Sequence, residues 1–201
     1  MPDNLIHQIL SVSRKLNAVD DVAIGGTPNV TTGTARFGGQ LGAKLCLTHE
    51  DAARMSDLTV GLLYGGVYQY VKVWDHAHPI RGHVAFYWNV DARLNFRVTS
   101  IPPPGTGCIA GIFINHIHGG YYGFIQTKGL ASIQYAWMIT KTSPQAQDLV
   151  ICRNNDDVGE VLDDATPLTS VEVRSILGVA SDQPVENAIG LVELRPGFDN
   201  F

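Results

Sequence analysis

The sequence predicts an all-β fold, a sandwich or a barrel, preceded by a helix and an extended arm. Three observations carry the prediction. From residue 58 onward, short runs rich in aromatic and β-branched residues recur at intervals of roughly 8–12 residues, separated by Gly and Pro. In residues 92–100, Leu94, Phe96 and Val98 alternate with Arg93, Asn95 and Arg97, the period of a strand with one buried face. No strand–helix alternation and no internal repeat is visible, so neither a parallel α/β sheet nor a solenoid is expected.

Residues 4–17 carry a helical pattern: Leu5, Ile6, Ile9, Leu10 and Leu16 fall near one face, with Asp3 or Asn4 as the cap. The stretch VAIGGTPNVTTGTARFGGQLG that follows is rich in Gly and Thr and lacks hydrophobic periodicity. A loop this long is unusual inside a compact domain. It suits an arm lying on a neighbouring subunit, which can satisfy its backbone. Residues 1–40 are therefore read as helix plus arm, and residues 41–201 as one β domain.

Within that domain, residues 49–57 read as a short helix or turn. Strands are expected in 58–74, broken at Gly65 and Gly66, and in 82–90, 92–100 and 108–117. The run IPPPGTG between the last two is a rigid loop, because proline fixes φ and removes a ladder donor. GYYGFIQTKGLASIQYA reads as two strands around a tight turn at Lys128 and Gly129. Shorter strands are expected in 148–153, 159–164 and 188–196, and residues 170–177 suit either helix or strand. One β-sandwich core should hold Val84, Phe86, Leu94, Phe96, Val98, Ile112, Ile114, Ile125 and Ile133.

Composition narrows the function. The chain has 201 residues, 45% of them hydrophobic, enough for a substantial core. Only 16% are charged, against roughly 25% in an average chain. Low charge favours a protein that buries surface in an assembly. Net charge is −5 and no basic run exists, so nucleic acid is not expected as a direct partner. Cys46, Cys108 and Cys152 form no CxxC pair and sit among apolar neighbours, which predicts small buried thiols in a reducing cytosol. The N-terminus lacks the pattern of a signal peptide, and no run of about 18 apolar residues exists, so no membrane association is expected.

Histidine offers the one opening for an enzyme. His76 and His78 form one His-x-His pair, His116 and His118 another, and His83 lies nearby. Alternate residues of a strand point the same way, so each pair can offer two imidazoles to one metal. Metal centres of the cupin type use such a pair, but with a glutamate a few residues later. Here the chain continues Pro79-Ile80-Arg81-Gly82 after the first pair and Gly-Gly-Tyr-Tyr after the second, with no acid. No metal or other cofactor is expected; if one is held, those four histidines are its ligands. The acids Asp156, Asp157, Glu160, Asp163 and Asp164 lack calcium-loop spacing and read as a solvated loop. Neither GxSxG nor GxxxxGK[ST] occurs. The expectation is a protein without catalysis.

The ribbon GYYGFIQTKGLASI, the preceding CIAGIFIN and the closing AIGLVELRP resemble structural proteins of tailed-bacteriophage heads. The likeness is to decoration or cement proteins, in which an aromatic-x-Gln-x-x-Gly hairpin recurs. The matching positions are Phe124, Gln126 and Gly129, then Ile176–Ala180, then residues 191–196. The resemblance covers the second half of the chain and implies a jelly-roll-like body that binds major capsid protein. It implies a closed homo-oligomer, a trimer, made in the host cytoplasm and located in the virion capsid. A minor head, tail or spike protein is the alternative within the same class, and the cupin-like enzyme the alternative outside it. Phe37, Tyr121, Tyr122 and Tyr135 are the expected protein-contact residues, because aromatic side chains supply large amphipathic area.

Overall fold

The computed structural model describes residues 41–56, 64–74, 77, 79–88, 95–101, 108–114, 116–117, 119–136, 143–152, 158–161 and 176–194. The expected N-terminal helix, the arm with Phe37, Leu94 and the proline loop at 102–107 lie outside these residues. The described residues form one ten-stranded sheet and one short helix. In chain order they are β1 (Lys44–Leu47), α1 (His49–Ser56), β2 (Gly66–Val73), β3 (Val84–Tyr87), β4 (Arg97–Thr99) and β5 (Cys108–Phe113). β6 (Tyr122–Gln134), β7 (Leu149–Ile151), β8 (Glu160–Val161), β9 (Ile176–Ala180) and β10 (Ile189–Leu194) follow.

The helix starts where a capping pair permits it. The Asp51 amide donates to the Thr48 hydroxyl oxygen at 3.1 Å, and that hydroxyl donates to the Asp51 carboxylate at 2.7 Å. One otherwise orphaned amide is satisfied, and the acids Glu50 and Asp51 sit at the positive end of the helix dipole. Ala52 then packs fully buried against Leu47 and Tyr68, fixing α1 to β1 and β2.

Five strands close on themselves. Their order is β2-β4-β3-β5-β6, and β6 pairs back onto β2 to complete a barrel. The β2–β4 pair is parallel and the others are antiparallel. Val71, Val73, Ala85, Val98, Phe113 and Ile125 fill its interior. β1 pairs antiparallel with β2 outside the barrel, and the other four strands extend from β6 in the order β10-β9-β7-β8. This half also curls back. Gly159, just before β8, forms a parallel bridge with Tyr135, just after β6. The Gly159 amide donates to the Gln134 carbonyl at 2.8 Å, and the Ala136 amide to the Gly159 carbonyl at 2.9 Å.

The second core contains Ile133, Val150, Leu177 and Val192 together with Val84, Phe86, Ile109 and Ile112 of β3 and β5. β3 and β5 thus separate two cores. In β3, Val84 and Phe86 join one cluster and Ala85 and Tyr87 the other, so all four residues are buried. A strand covered on both faces reads as a continuous apolar run, which is what VAFY is.

Several expectations are corrected. The sandwich gives way to a closed barrel with a curled extension, although β3 and β5 do pack face to face against the extension. Strand spacing and alternation report a buried face but not closure; closure here comes from the pairing of β2 with β6 from Gly66↔Gly129 to Lys72↔Tyr122. The expected hairpin at Lys128 and Gly129 is instead the middle of one 13-residue strand. Gly129 has a φ of +89°, a left-handed value that glycine also supplies in turns, but the ladder does not reverse there. At Gly129 the β2 pairing ends and the β10 pairing begins.

Of the strand expected over 92–100, residues 92–94 lie outside the described residues; in the remainder the strand is Arg97–Thr99, and Phe96, with a φ of +51°, is half-buried in the turn before it. Ile114 is likewise half-buried, whereas Val84, Phe86, Val98, Ile112, Ile125 and Ile133 are core residues as expected. Two thiols are exposed, Cys46 and Cys108; only Cys152 is buried. Cys46 alternates with the inward Leu45 and Leu47 on β1, and Cys108 opens β5, so neighbouring apolar letters did not mean burial.

Candidate contact surfaces

The aromatic ribbon serves mainly the chain's own interior. Tyr135 is 1% exposed, and its hydroxyl donates to the Leu191 carbonyl at 3.3 Å, which ties the end of β6 to β10. Burial, with Asp182 nearby, pushes its phenol pKa up. Tyr121 is also buried, in the barrel core. Neither offers area to a partner, which corrects the role expected for them. Tyr122 is half-buried and does reach the surface. Of the four histidines, His76, His78 and His118 lie outside the described residues, and His116 is exposed.

The aromatic-x-Gln-x-x-Gly motif has a structural meaning here. Gln126 is 2% exposed, and its amide nitrogen donates to the carbonyls of Leu130 at 2.8 Å and Lys128 at 3.3 Å. Those carbonyls flank Gly129. A buried side-chain amide therefore satisfies the backbone where the strand bends.

Among the described residues, two surfaces combine exposed apolar, aromatic or charged side chains in register. The first is the outward face of the extension. On β10, Gly190, Val192 and Leu194 point inward, while Ile189, Leu191 and Glu193 point outward. Register places Ile189 beside Gln134, Leu191 beside Ser132, and Glu193 between Leu130 and Val179. Leu149 of β7 continues the same row beyond Val179. Ile189 is 50% exposed and Leu149 36%, and Leu130, Val179 and Leu191 are half-buried. Arg81 covers Ser132, its guanidinium donating to the hydroxyl at 2.9 Å. The alternation in AIGLVEL was the available signal for this face; its apolar outer positions were the part the sequence reading passed over.

The second surface lies on the outside of the barrel. Lys72 of β2 faces Arg97 of β4 on one side and Tyr122 of β6 on the other. The Lys72 ammonium sits 5.7 Å from the centroid of the Tyr122 ring. Tyr122 stacks on Tyr70 with centroids 6.0 Å apart and planes 20° apart, and Phe124 meets Tyr70 at 5.1 Å. Tyr70 itself is fully buried, and burial, with Tyr122 adding, pushes its phenol pKa up to about 12. Burial also raises that of Tyr68, whose hydroxyl donates to the Tyr64 carbonyl.

No protein-family model matches the chain, and no curated protein sequence matches it. Among solved structures, the chain is similar to the N base of the head fiber gp8.5 of bacteriophage phi29. That similarity spans 64% of this chain and 92% of the other, at 8% identity and a TM-score of 0.41.

Proposed function

We propose that the protein is a structural component of a tailed-bacteriophage virion, a decoration or cement protein that binds the capsid shell by contact and without catalysis. The observation that carries this reading is the outward face of β10 and its neighbours. It presents Ile189, Leu191, Val179, Leu149 and Leu130 around a single carboxylate, Glu193. A sheet face on which five aliphatic side chains stand among Gln134, Ser132 and Glu193, in a chain with 16% charged residues, suits burial against another protein. The ribbon's resemblance to head structural proteins supplies the class of partner, the major capsid protein. Binding the assembled lattice and not its free subunits stabilises the lattice by mass action.

The test is co-sedimentation with capsid shells that lack the protein. Saturable pelleting at near-lattice copy number is expected. Ile189→Ser and Leu149→Ser should each weaken binding about fivefold, since covering a half-exposed aliphatic side chain is worth about 1 kcal/mol. Wild-type protein that stays in the supernatant at every concentration refutes the proposal.

A further inference from the structure

Lys72 and Arg97 are directly opposite one another on neighbouring strands, so their side chains leave the same face of the sheet. Like charges in such positions destabilise a sheet. Lys72 is half-buried, which limits the water that screens it, while Arg97 is exposed. Among the described residues, no carboxylate pairs with either cation. The Tyr122 ring contacts Lys72 and offsets part of its desolvation, but leaves its charge in place. The chain as a whole is acidic, with net charge −5, so two adjacent cations with no carboxylate beside them among the described residues run against its own bias. Such a pair suits a counter-charge brought by a partner.

We infer that Lys72, Arg97 and Tyr122 form a docking site for an acidic segment of a protein partner. The inference rests on the contact role proposed above and adds the chemistry of one contact. Arg97 offers a planar fork that takes a carboxylate through two hydrogen bonds. Lys72 offers a point charge one strand away, about 4.8 Å in the hydrogen-bonding direction. Adjacent strands therefore meet two carboxylates of an extended acidic peptide. Tyr122 supplies a flat wall beside them and a phenolic donor. Nucleic acid fits poorly: two cations on an acidic chain do not make a phosphate-tracking groove.

The test uses the full chain and a fluorescent ten-residue glutamate peptide, with a ten-nucleotide thymidine oligomer and a ten-residue Gly-Ser peptide as controls. Binding is measured by anisotropy at low and at physiological salt. The glutamate peptide should bind, more weakly as salt rises. Lys72→Gln and Arg97→Gln should each weaken binding roughly three- to fivefold, and Lys72→Glu with Arg97→Glu at least tenfold. Far-UV CD spectra confirm that the variants fold. The inference is overturned if the peptide does not bind at about 1 mM, a concentration matched to weak contacts, if the double reversal leaves binding unchanged, or if thymidine binds as tightly. Shell co-sedimentation of the same variants separates the two proposals. Wild-type protein that ignores shells yet binds the peptide refutes the shell reading alone; shell binding without peptide binding refutes this site alone.

Discussion

Replacing Gly129 by alanine tests the account of β6 as one bent strand. Its φ of +89° lies in the left-handed region, where an L-residue costs roughly 1–2 kcal/mol. A Cβ there would stand 2.5 Å from the Gly65 carbonyl oxygen and 3.0 Å from the Gly66 Cα. Both obstacles are backbone, held by the pairing of Gly66 with Gly129, so relief requires moving β2 and about 1–3 kcal/mol of overpacking is added. Together these predict a loss of about 2–5 kcal/mol, and a fall in melting temperature of about 4–20 °C for a chain of this size. Gly123→Ala is the control. Its Cβ would meet the Ile117 Cδ1 atom at 2.3 Å, the far end of a flexible side chain, and its φ is not left-handed. It should cost less. Urea unfolding of both variants, followed by CD, measures the difference. Gly129→Ala within about 0.5 kcal/mol of wild type, the range of a neutral surface change, or a larger loss for Gly123→Ala, would refute the argument.

Three further outcomes follow from the same structure. The phenol of Tyr70 is held near pH 12 in the folded chain, above its unfolded value of 10.0, so the folded state keeps a proton that the unfolded state loses. Stability is therefore fully present below pH 10 and declines as pH rises toward 12; urea midpoints at pH 8, 10 and 11 check it, and a flat profile contradicts it. Cys46 and Cys108 should react with a maleimide in native protein and Cys152 only after denaturation, read by mass spectrometry. Ile133→Ala, at a fully buried site, should cost about 2–5 kcal/mol, whereas Ile189→Ser, at a half-exposed one, should change stability by no more than about 0.5 kcal/mol.

Strand identity was legible wherever a pattern is local. AIGLVEL and VAFY are strands because their side chains suit a pleated, covered surface, and the sequence showed that directly; ILGVA is also a strand, although the reading of 170–177 left helix and strand open there. What was not legible is set by distant partners. Gly129 looks the same in a hairpin turn as in a bent strand; only the paired Gly66, 63 positions earlier (129 − 66 = 63), and β10, some 60 residues later, distinguish them. Phe96 broke its alternation because a left-handed backbone at that position turns the ring toward Gly42. The surface candidates failed for a related reason. Tyr121 and Tyr135 are amphipathic enough for an interface, but the second core, which no local pattern announces, consumed Tyr135. Lys72 and Arg97 are 25 positions apart (97 − 72 = 25) and become neighbours only through a parallel pairing that the sequence did not show.

The continuity of β6 has a mechanical consequence. Its first part is bonded to β2 through seven register positions, and its last part to β10 through six. A pull along its axis loads these ladders in shear, where many hydrogen bonds must yield together, and not by peeling, where they yield one at a time. Tension entering through the barrel reaches the extension along a covalent backbone, with no linker between them to stretch first. A chain wired in this way resists being drawn apart along one direction far more than across it. Tethers at Lys72 of β2 and Ile189 of β10, which pull the two ladders in opposite directions along β6, should therefore rupture at higher force than tethers that lift β10 away from Gly129.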